Sequence, residues 1–348
     1  MKALVRYAPE PNSIRVQEMP DPEPAPGEVL VKVAACGICG SDVHFRRERG
    51  NLRTRYPYII GHEFAGTVAG VGKGAEGFDE GDPVTCQPMA ARCGTCRMCR
   101  QGRFNNCRLY ADLGFGPDGA HAEYIAFPVD GVHRLPASVS PVDAAITEPL
   151  TLAHTTAFER SRVCSGEFVV VMGCGPIGLL CAALVVGAGA EVVVSGWSGD
   201  EVRLQAARAI GVQHVINSAE QDLPALVASL TGVDGPDVII DAVGSSDTFA
   251  QALDMAPPFG RITKVGWFGK RGDMNLNAIV RKNLEVRGAY GNLYETWEKC
   301  TRLLAAGRIP LEHIVTHRLP LAEWEEGYRL MEERRAVKVL LLPGEHDV

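Results

Sequence analysis

Four cysteines follow one another at short intervals in the first third of the chain: Cys93, Cys96, Cys99 and Cys107. Four thiolates that leave no coordination position open are typical of a structural, tetrahedral zinc site. The segment that carries them, residues 91–107, is too polar and glycine-rich to be held in place by burial, and a bound metal would make it rigid. The alternative is a reduced cluster without metal, but the spacing favours zinc.

A second group of metal-ligand residues is scattered along the chain: Cys39, His62, Glu63 and Glu148. A catalytic zinc needs three protein ligands and one open position for substrate or water. Taken singly, each of these residues is more often part of a core than a ligand. Their neighbours favour chemistry, because Cys39 opens the run Cys-Gly-Ser-Asp-x-His and His62 stands in Gly-His-Glu-x-x-Gly. The pattern indicates a second metal site with a catalytic role.

A glycine-rich turn follows an apolar stretch in the middle of the chain. Residues 168–172 run into Gly173, Gly175, Pro176, Ile177 and Gly178, and an apolar helical segment follows. In a dinucleotide-binding turn the first glycine allows the bend, the second admits a pyrophosphate, and the third lets helix and strand pack closely. The helix N-terminus offers free N–H groups to the phosphates. The alternative is a tight turn without a ligand, but the strand–turn–helix context favours a dinucleotide.

Further coenzyme contacts are expected after the strands that follow this turn. They are Ser195, Gly196, Ser198, Arg203, Val243, Val265 and Gly266. An NAD-binding chain carries Asp or Glu at the end of the second strand, where this chain has Gly196. Without that carboxylate a 2′-phosphate is not repelled, and Ser195, Ser198 or Arg203 would donate to it. The sequence therefore favours NADP over NAD.

Two alternatives remain open for this segment. Ser198 could instead cap the next helix, with Glu201 completing a capping box. Asp200 could reach back to a ribose hydroxyl, as the acid of an NAD-binding chain does.

Two kinds of secondary-structure pattern position these residues. Residues 1 to about 150 carry short β-type runs bounded by Gly or Pro, which predict a mostly antiparallel β domain. Residues 152–291 alternate strands and helices, which predicts an α/β fold: a doubly wound parallel sheet covered by helices on both faces. Predicted strands cover 168–172, 191–195, 215–217, 237–241, 261–265 and 285–289, and predicted helices cover 176–187, 200–210 and 246–255.

The last part of the chain is expected to return to the first domain. It carries helices at 295–306 and 323–333 and β-type segments at 314–319 and 338–342. We therefore predict a discontinuous β-rich domain, residues 1–151 and 292–348, and a dinucleotide-binding domain at 152–291. The length of 348 residues also suggests two domains.

Composition narrows the class of protein further. Lys and Arg number 35 against 42 Asp and Glu, a net charge of −7, so neither nucleic acid nor an anionic membrane is a favoured partner. No secretory signal pattern opens the chain, and the apolar stretch 168–195 is broken by glycines and a proline. Eleven cysteines, five of them between Cys86 and Cys107, fit metal-bound thiolates in a reducing compartment. We expect a soluble cytoplasmic protein.

Together these motifs resemble the zinc-dependent medium-chain dehydrogenase/reductase (alcohol dehydrogenase) family over nearly the full length. The motifs are GICGSDVH (37–44), GHEFAGTV (61–68), the four-cysteine segment, TEPL (147–150) and GCGPIG (173–178). Glutamate at 148 is similar to the sorbitol (polyol) and threonine dehydrogenase branch. The resemblance implies a GroES-like catalytic domain, a Rossmann domain, two zinc ions per chain, NAD or NADP, and a homodimer or homotetramer paired near residues 285–291.

The resemblance also assigns roles. Cys39 and His62, with either Glu63 or Glu148, would be the ligands of the catalytic zinc, and Ser41 and His44 would form the proton relay. The implied reaction moves a hydride between the carbinol carbon of a secondary alcohol (a polyol, sugar derivative or hydroxy amino acid) and NAD(P), with ketone reduction as the reverse. His154 departs from the branch, which has its histidine one position later, where this chain has Thr155.

The substrate is less well defined. Five arginines in residues 46–55 suit a carboxylate or phosphate, although a solvated or subunit-facing loop is the more ordinary reading. Phe115, Tyr290 and Asn292 are candidates for the pocket wall. Rival functions are a zinc-free quinone or enoyl reductase on the same fold, a zinc-ribbon nucleic-acid-binding protein, and a relative that binds coenzyme without catalysis.

Overall fold

The computed structural model describes residues 1–48, 55–267, 272, 274–291 and 293–344. The strands are β1 (Lys2–Arg6), β2 (Ile14–Glu18), β3 (Glu28–Gly37), β4 (Tyr58–Ile59), β5 (Glu63–Val71), β6 (Pro83–Cys86), β7 (Met89–Ala91), β8 (Ala111–Asp112), β9 (Tyr124–Pro128), β10 (Val132–Arg134), β11 (Phe168–Met172), β12 (Glu191–Gly196), β13 (His214–Asn217), β14 (Val238–Asp241), β15 (Arg261–Lys264), β16 (Glu285–Gly288), β17 (Val315–Pro320) and β18 (Lys338–Leu342).

Helices alternate with these strands, most regularly in the second half of the chain. They are α1 (Gly40–Arg47), α2 (Arg97–Arg100), α3 (Pro141–Ala144), α4 (Thr147–His154), α5 (Pro176–Gly187), α6 (Glu201–Ala209), α7 (Leu223–Thr231), α8 (Ser246–Met255), α9 (Asn277–Arg281), α10 (Tyr294–Ala305), α11 (Leu311–Ile314) and α12 (Trp324–Glu332). A π-helical segment, Thr155–Arg160, continues α4. None of the helices in the described ranges is long and apolar enough to cross a bilayer.

Strands from both ends of the chain form one sheet, which we call the mixed sheet. Among the described residues its order is β10-β6-β5-β3-β18-β17, with β9 also paired to β3. The long strand β3 alternates buried with mostly half-buried positions over its first eight residues, and its valines Val29, Val31 and Val33 pack into a core with Phe64 and Phe127. β18 lies antiparallel to β3, so the end of the chain is built into the N-terminal sheet as expected.

The second sheet, which we call the parallel sheet, has the order β13-β12-β11-β14-β15-β16 in the described part of the chain. Every neighbouring pair in it is parallel. All five residues of β11 are buried, because helices cover both faces of a sheet of this kind. The predicted elements at 168–172, 176–187, 246–255 and 338–342 have the bounds seen in the structure, and the others differ by one or two residues at an end.

Helix α4 connects the two sheets. It packs against α5 and α10, and its residues from Thr147 to His154 are mostly buried. The predicted division between residues 151 and 152 falls inside this helix, and the second predicted division, at 291/292, touches Asn292, which lies outside the described residues. The domain boundaries therefore stay predictions.

Candidate active site

The ends of two neighbouring strands bring the scattered ligand residues together. β3 pairs with β5 so that Gly37 lies opposite Glu63. Cys39 follows β3 by two residues, and His62 immediately precedes β5. The Cys39 N–H donates to the Asp42 carboxylate at 2.9 Å, which fixes the turn into α1. Two residues far apart in sequence therefore meet at one edge of the mixed sheet.

Cys39, His62 and Glu63 form a group with the donor atoms of a metal site. Their ligand atoms all lie within 4.8 Å of one another, and His62 and Glu63 are buried. The Nδ1 atom of His62 has no hydrogen-bond partner and lies 3.6 Å from the Asp42 carboxylate. A thiolate, an imidazole and a carboxylate are the ligands zinc takes in catalytic sites. The donor set therefore fits the predicted metal.

Glu63 is also held by a cation that the sequence analysis missed. Lys338 Nζ donates to both carboxylate oxygens of Glu63, at 2.9 and 2.7 Å, and to the carbonyl of Ile38 at 3.0 Å. Burial by itself would raise the pKa of Glu63, but the ammonium of Lys338 and His62 beside it lower that pKa. A lysine inside the apolar run of β18 was the available signal, because a buried lysine requires a partner.

Glu148, the alternative carboxylate ligand, lies in the first turn of α4. Its side chain is half-buried, and its desolvation raises its pKa to about 7. It lies outside the group whose ligand atoms fall within 4.8 Å, yet His62 and Glu63 both act on its charge. The structure thus places both glutamates at the site, and the choice of Glu63 or Glu148 as the direct ligand stays open.

Aromatic and polar side chains surround the opening of this site. Phe115 lies between His62 and Phe45, with ring centroids 5.2 and 5.0 Å away. On another side, the Tyr290 hydroxyl donates to the Asp112 carboxylate at 3.4 Å, and burial raises the pKa of Asp112. Phe115 thus packs on His62 and Tyr290 contacts Asp112, and their role as a pocket wall stays a prediction. Asn292 lies outside the described residues.

The predicted proton relay begins on α1. Ser41 and His44 lie on this helix, one turn apart, directly after Cys39. The His44 side chain is 59% exposed, and its Nε2 is 3.1 Å from the Glu48 carboxylate. A histidine open to solvent is suited to passing a proton outward.

His154, which departs from the pattern of the branch, is buried at the end of α4. Its ring contacts Phe158 edge-on at 5.0 Å between centroids, and its Nδ1 is 3.8 Å from Glu159. Glu159 in turn accepts a hydrogen bond from Thr296 at 2.7 Å. These contacts give His154 a packing role between α4 and α10.

The four cysteines of the second site converge as predicted. Three of their sulfur–sulfur distances are 3.9 Å (Cys93–Cys99), 3.6 Å (Cys96–Cys99) and 3.5 Å (Cys93–Cys107). Tetrahedral Zn–S bonds of about 2.3 Å place the sulfurs ~3.8 Å apart. Backbone N–H groups of Cys96 and Thr95 donate to Cys93 and lower its pKa to about 5, which favours the thiolate. The cluster has the dimensions of a four-thiolate zinc site.

The glycine-rich turn has the shape that a bound pyrophosphate requires. A side chain at Gly178 would lie 1.9 Å from the carbonyl of Gly173, so strand and helix approach too closely for any other residue. At Gly175 the space is open, with no atom within 4 Å of an added Cβ. Gly175 is also the N-cap of α5 and offers no side-chain cap. Pro176 and Ile177 form the first turn of that helix. Open space therefore lies beside the start of α5, and the free N–H groups of a helix N-terminus suit an anion.

The remaining predicted coenzyme residues flank this turn. Val243 lies against Gly173, since a Cβ added there would be 2.9 Å from its methyl group. Val265 and Gly266 follow β15, and both donate their N–H groups to the carbonyl of Asp241. Ser195 is buried within β12. These residues line the carboxyl edge of the parallel sheet, where dinucleotides bind in folds of this type.

The turn after β12 differs from two of the predictions. α6 begins at Glu201 with Asp200 as its N-cap, so the capping box of Ser198 and Glu201 does not form. Arg203 donates to the carbonyls of Ala336 (3.0 Å) and Met331 (3.3 Å), which are at the end of α12 and beyond it. Arg203 therefore joins two parts of the fold, and its geometry does not support a 2′-phosphate contact.

The arginine-rich segment after α1 is only partly described. Arg46 and Arg47 both pair with Glu332 of α12, at 3.6 and 2.8 Å. Arg49 and Arg53 lie outside the described residues. The two paired arginines thus dock α1 on α12, which agrees with the structural alternative for this part of the segment.

Comparison with known families assigns the chain. The family described as alcohol dehydrogenase GroES-like domain matches residues 25–137, and the family described as zinc-binding dehydrogenase matches residues 176–306. Sorbitol dehydrogenase from Halalkalibacterium halodurans is 35% identical over 344 residues, covering 99% of this chain and 99% of that protein.

Two solved structures share the whole architecture. An alcohol dehydrogenase (rspB) from Escherichia coli CFT073, complexed with NADH, has a TM-score of 0.89 at 30% identity and covers 98% of this chain and 99% of its own. A putative zinc-binding dehydrogenase from Sinorhizobium meliloti 1021, bound to NADP, has a TM-score of 0.88 at 29% identity with coverage of 98% and 99%.

These matches define an oxidoreductase with a GroES-like part and a Rossmann-type parallel sheet. The chain belongs to the zinc-dependent medium-chain dehydrogenase family, as the resemblance predicted.

Replacing Lys338 tests the contact between β18 and Glu63. In Lys338→Met the Glu63 carboxylate stays buried without its cation, and we expect the free energy of unfolding to fall by about 3–5 kcal/mol. Urea denaturation followed by circular dichroism measures this loss. Lys73→Met, a change at an exposed lysine, is the matched control and should leave the midpoint nearly unchanged. Equal stability of the two variants would show that the ion pair is not needed.

Proposed function

We propose that this protein is a zinc-dependent NAD(P) dehydrogenase of secondary alcohols, with a polyol, a sugar derivative or a hydroxy amino acid as substrate. The observation that carries the proposal is the group of Cys39, His62 and Glu63, whose ligand atoms lie within 4.8 Å of one another. The glycine-rich turn and the open space at Gly175 supply the second requirement, a place for a dinucleotide.

Cys39 and His62, with the carboxylate of Glu63 or Glu148, would hold the catalytic zinc. Cys93, Cys96, Cys99 and Cys107 would hold the structural zinc. When bound, the catalytic metal supplies a Lewis acid that lowers the pKa of the substrate hydroxyl, and the nicotinamide supplies the hydride acceptor. The chain's own side chains then have three tasks: to orient the alcohol, to remove its proton and to exclude water.

Ser41 and His44 are the residues that we propose remove the proton. Ser41 follows Cys39 by two residues, and His44 lies one helical turn further on the same helix. The exposed ring of His44 passes the proton to solvent. Phe115, packed over the His62 ring, covers that side of the site with an apolar surface. In this proposal Ser41 and His44 carry the proton to solvent, and Phe115 keeps water away from its side of the site.

For the coenzyme we favour NADP. The strand β12 ends at Gly196, and a carboxylate that would hold the ribose of NAD is missing there. Similar structures bind NADH in one case and NADP in another, so the fold accepts both coenzymes. The preference of this chain then depends on its own residues around Gly196.

Assembly and location are further parts of the proposal. β16 lies at the edge of the parallel sheet in the described residues, and Val280, 78% exposed, lies on the helix that precedes it. An open strand edge beside apolar side chains suits pairing with a second copy, so we propose a homodimer or homotetramer. All eleven cysteines are free thiols in the structure, which suits a reducing cytoplasm.

Formation of NAD(P)H with a panel of alcohols tests the activity. The panel holds sorbitol and other polyols, sugar acids, aminocyclitols and L-threonine, each with NAD and with NADP. We expect at least one secondary alcohol to be oxidised in a reaction that a zinc chelator stops. Cys39→Ala should lose the activity and one metal ion per chain while it still binds coenzyme, because the glycine-rich turn lies in the other sheet.

Cys164→Ala, at an exposed cysteine outside both metal sites, is the matched control and should keep both the activity and the metal. Substantial oxidation by Cys39→Ala would contradict the metal-centred proposal. If the protein contains no metal and the chelator does not change its activity, the zinc-free reductase is favoured instead.

The relay is tested separately by His44→Ala. Removing the outer group of the relay leaves the metal ligands in place, so we expect kcat to fall by about 10- to 100-fold with little change in metal content. Imidazole added to the assay should restore part of the rate. A variant with unchanged kcat across pH 6–9 would show that the proton leaves by another route.

A further inference from the structure

The space beyond β12 excludes an acidic side chain at position 196. A Cβ added to Gly196 would lie 2.6 Å from Cys174 Sγ, 2.8 Å from a methyl group of Leu204 and 3.3 Å from the Cβ of Asp200. No larger residue fits there without moving its neighbours. The packing between β12 and α6 therefore excludes the carboxylate that would bind the ribose of NAD.

Asp200, the one carboxylate that could replace it, is turned inward. Its Oδ2 accepts a hydrogen bond from the Trp197 N–H at 3.0 Å, and its side chain is buried. Two arginines stand beside it: Arg203 at 3.5 Å and Arg334 at 3.6 Å. Asp200 is therefore engaged by two cations. Glu201 also lies here, and its carboxylate accepts a hydrogen bond from the Gly199 N–H.

Arg334 reaches this turn from the other part of the fold. It lies between α12 and β18, with a left-handed backbone (φ 60°) that ends the helix. Its guanidinium donates to the carbonyl of Ser198 at 3.4 Å, and 45% of the side chain is exposed. A guanidinium carries five N–H donors, so most of those on Arg334 are available to a ligand. Arg203, by contrast, is occupied by backbone carbonyls.

A serine just after the neighbouring strand β13 lacks a hydrogen-bond partner for its hydroxyl group. Ser218 follows β13, and its N–H donates to the carbonyl of Gly196 at 2.9 Å. The Ser218 hydroxyl oxygen is buried and has no hydrogen-bond partner. A buried hydroxyl is normally satisfied, which indicates that a group outside the chain completes it. The hydroxyl of Ser198 is exposed on the turn between them.

We propose that Arg334, with Ser218 and Ser198, forms the subsite that recognises the 2′-phosphate of NADP, and that Arg334 determines the preference for NADP over NAD. The inference rests on the proposed coenzyme-dependent function and identifies the residues that select the coenzyme. Arg334 supplies a positive charge, and the hydroxyls of Ser198 and Ser218 supply neutral hydrogen-bond donors. Because Arg334 belongs to the segment that leads into β18, the phosphate would link the two sheets when coenzyme binds.

Calorimetric titration with two nucleotides tests the subsite on its own. Adenosine 2′,5′-bisphosphate carries the 2′-phosphate and 5′-AMP does not, and neither needs the zinc or an alcohol to bind. We expect the wild-type protein to bind the bisphosphate at least about tenfold more tightly. Arg334→Ala should lose about 10- to 100-fold in affinity for the bisphosphate, the range for a hydrogen bond to a charged group, and none for 5′-AMP. Ser218→Ala should lose less, about 3- to 10-fold, as expected for a neutral donor.

Arg335→Ala is the matched control, since Arg335 is an exposed neighbour that pairs with Glu333, and it should change neither affinity. In the alcohol assay Arg334→Ala should lower kcat/KM for NADP and leave that for NAD unchanged. Equal binding of the two nucleotides by the wild-type protein would overturn the proposal, as would an equal loss of both in Arg334→Ala. Selective nucleotide binding without any alcohol oxidation would keep the subsite and refute the dehydrogenase function instead.

Discussion

One buried ammonium joins the three chain segments on which the metal site depends. Lys338 Nζ contacts the carbonyl of Ile38, next to Cys39, and both carboxylate oxygens of Glu63, next to His62. The lysine itself belongs to the last strand, which pairs with β3. A charge buried to this degree is stable only with its partner. The ligands therefore keep their positions only when the C-terminal strand is in place, so the site and the fold form together.

A second constraint acts at the carboxyl edge of the parallel sheet, where packing limits which side chains can follow β12. Gly196 leaves no room for a carboxylate, because Cys174 and Leu204 already occupy the space. Asp200 turns inward, and arginines from both parts of the fold surround it. The same contacts that join α6 to the end of α12 thus bring two arginines to this turn. The proposed preference for NADP then follows from how the two sheets are joined, more than from a single residue on β12.

Local sequence patterns predict much of the fold and of the candidate sites. The four cysteines, the glycine-rich turn and the alternation of strands and helices predicted the four-thiolate site, the coenzyme turn and the parallel sheet, since each depends on residues close in sequence. The scattered group of Cys39, His62 and Glu63 was indicated by the short motifs around each residue. The Lys338–Glu63 pair and the position of Arg334 depend on contacts across more than a hundred residues, which no local pattern specifies. The contacts of Arg203 are long-range in the same way: its position in the sequence suits a phosphate, but its side chain donates to the carbonyls of Met331 and Ala336.

The most direct test of the account is the visible absorption spectrum of the protein after its metal has been exchanged for Co²⁺, recorded before and after coenzyme and an oxidisable alcohol are added. Cobalt bound by thiolates absorbs according to its ligands and geometry. The account predicts that the alcohol alters the bands of one cobalt ion, the one lost in Cys39→Ala, and leaves those of the four-cysteine site unchanged. A spectrum that does not respond to the alcohol, or a response retained in Cys39→Ala, would contradict it.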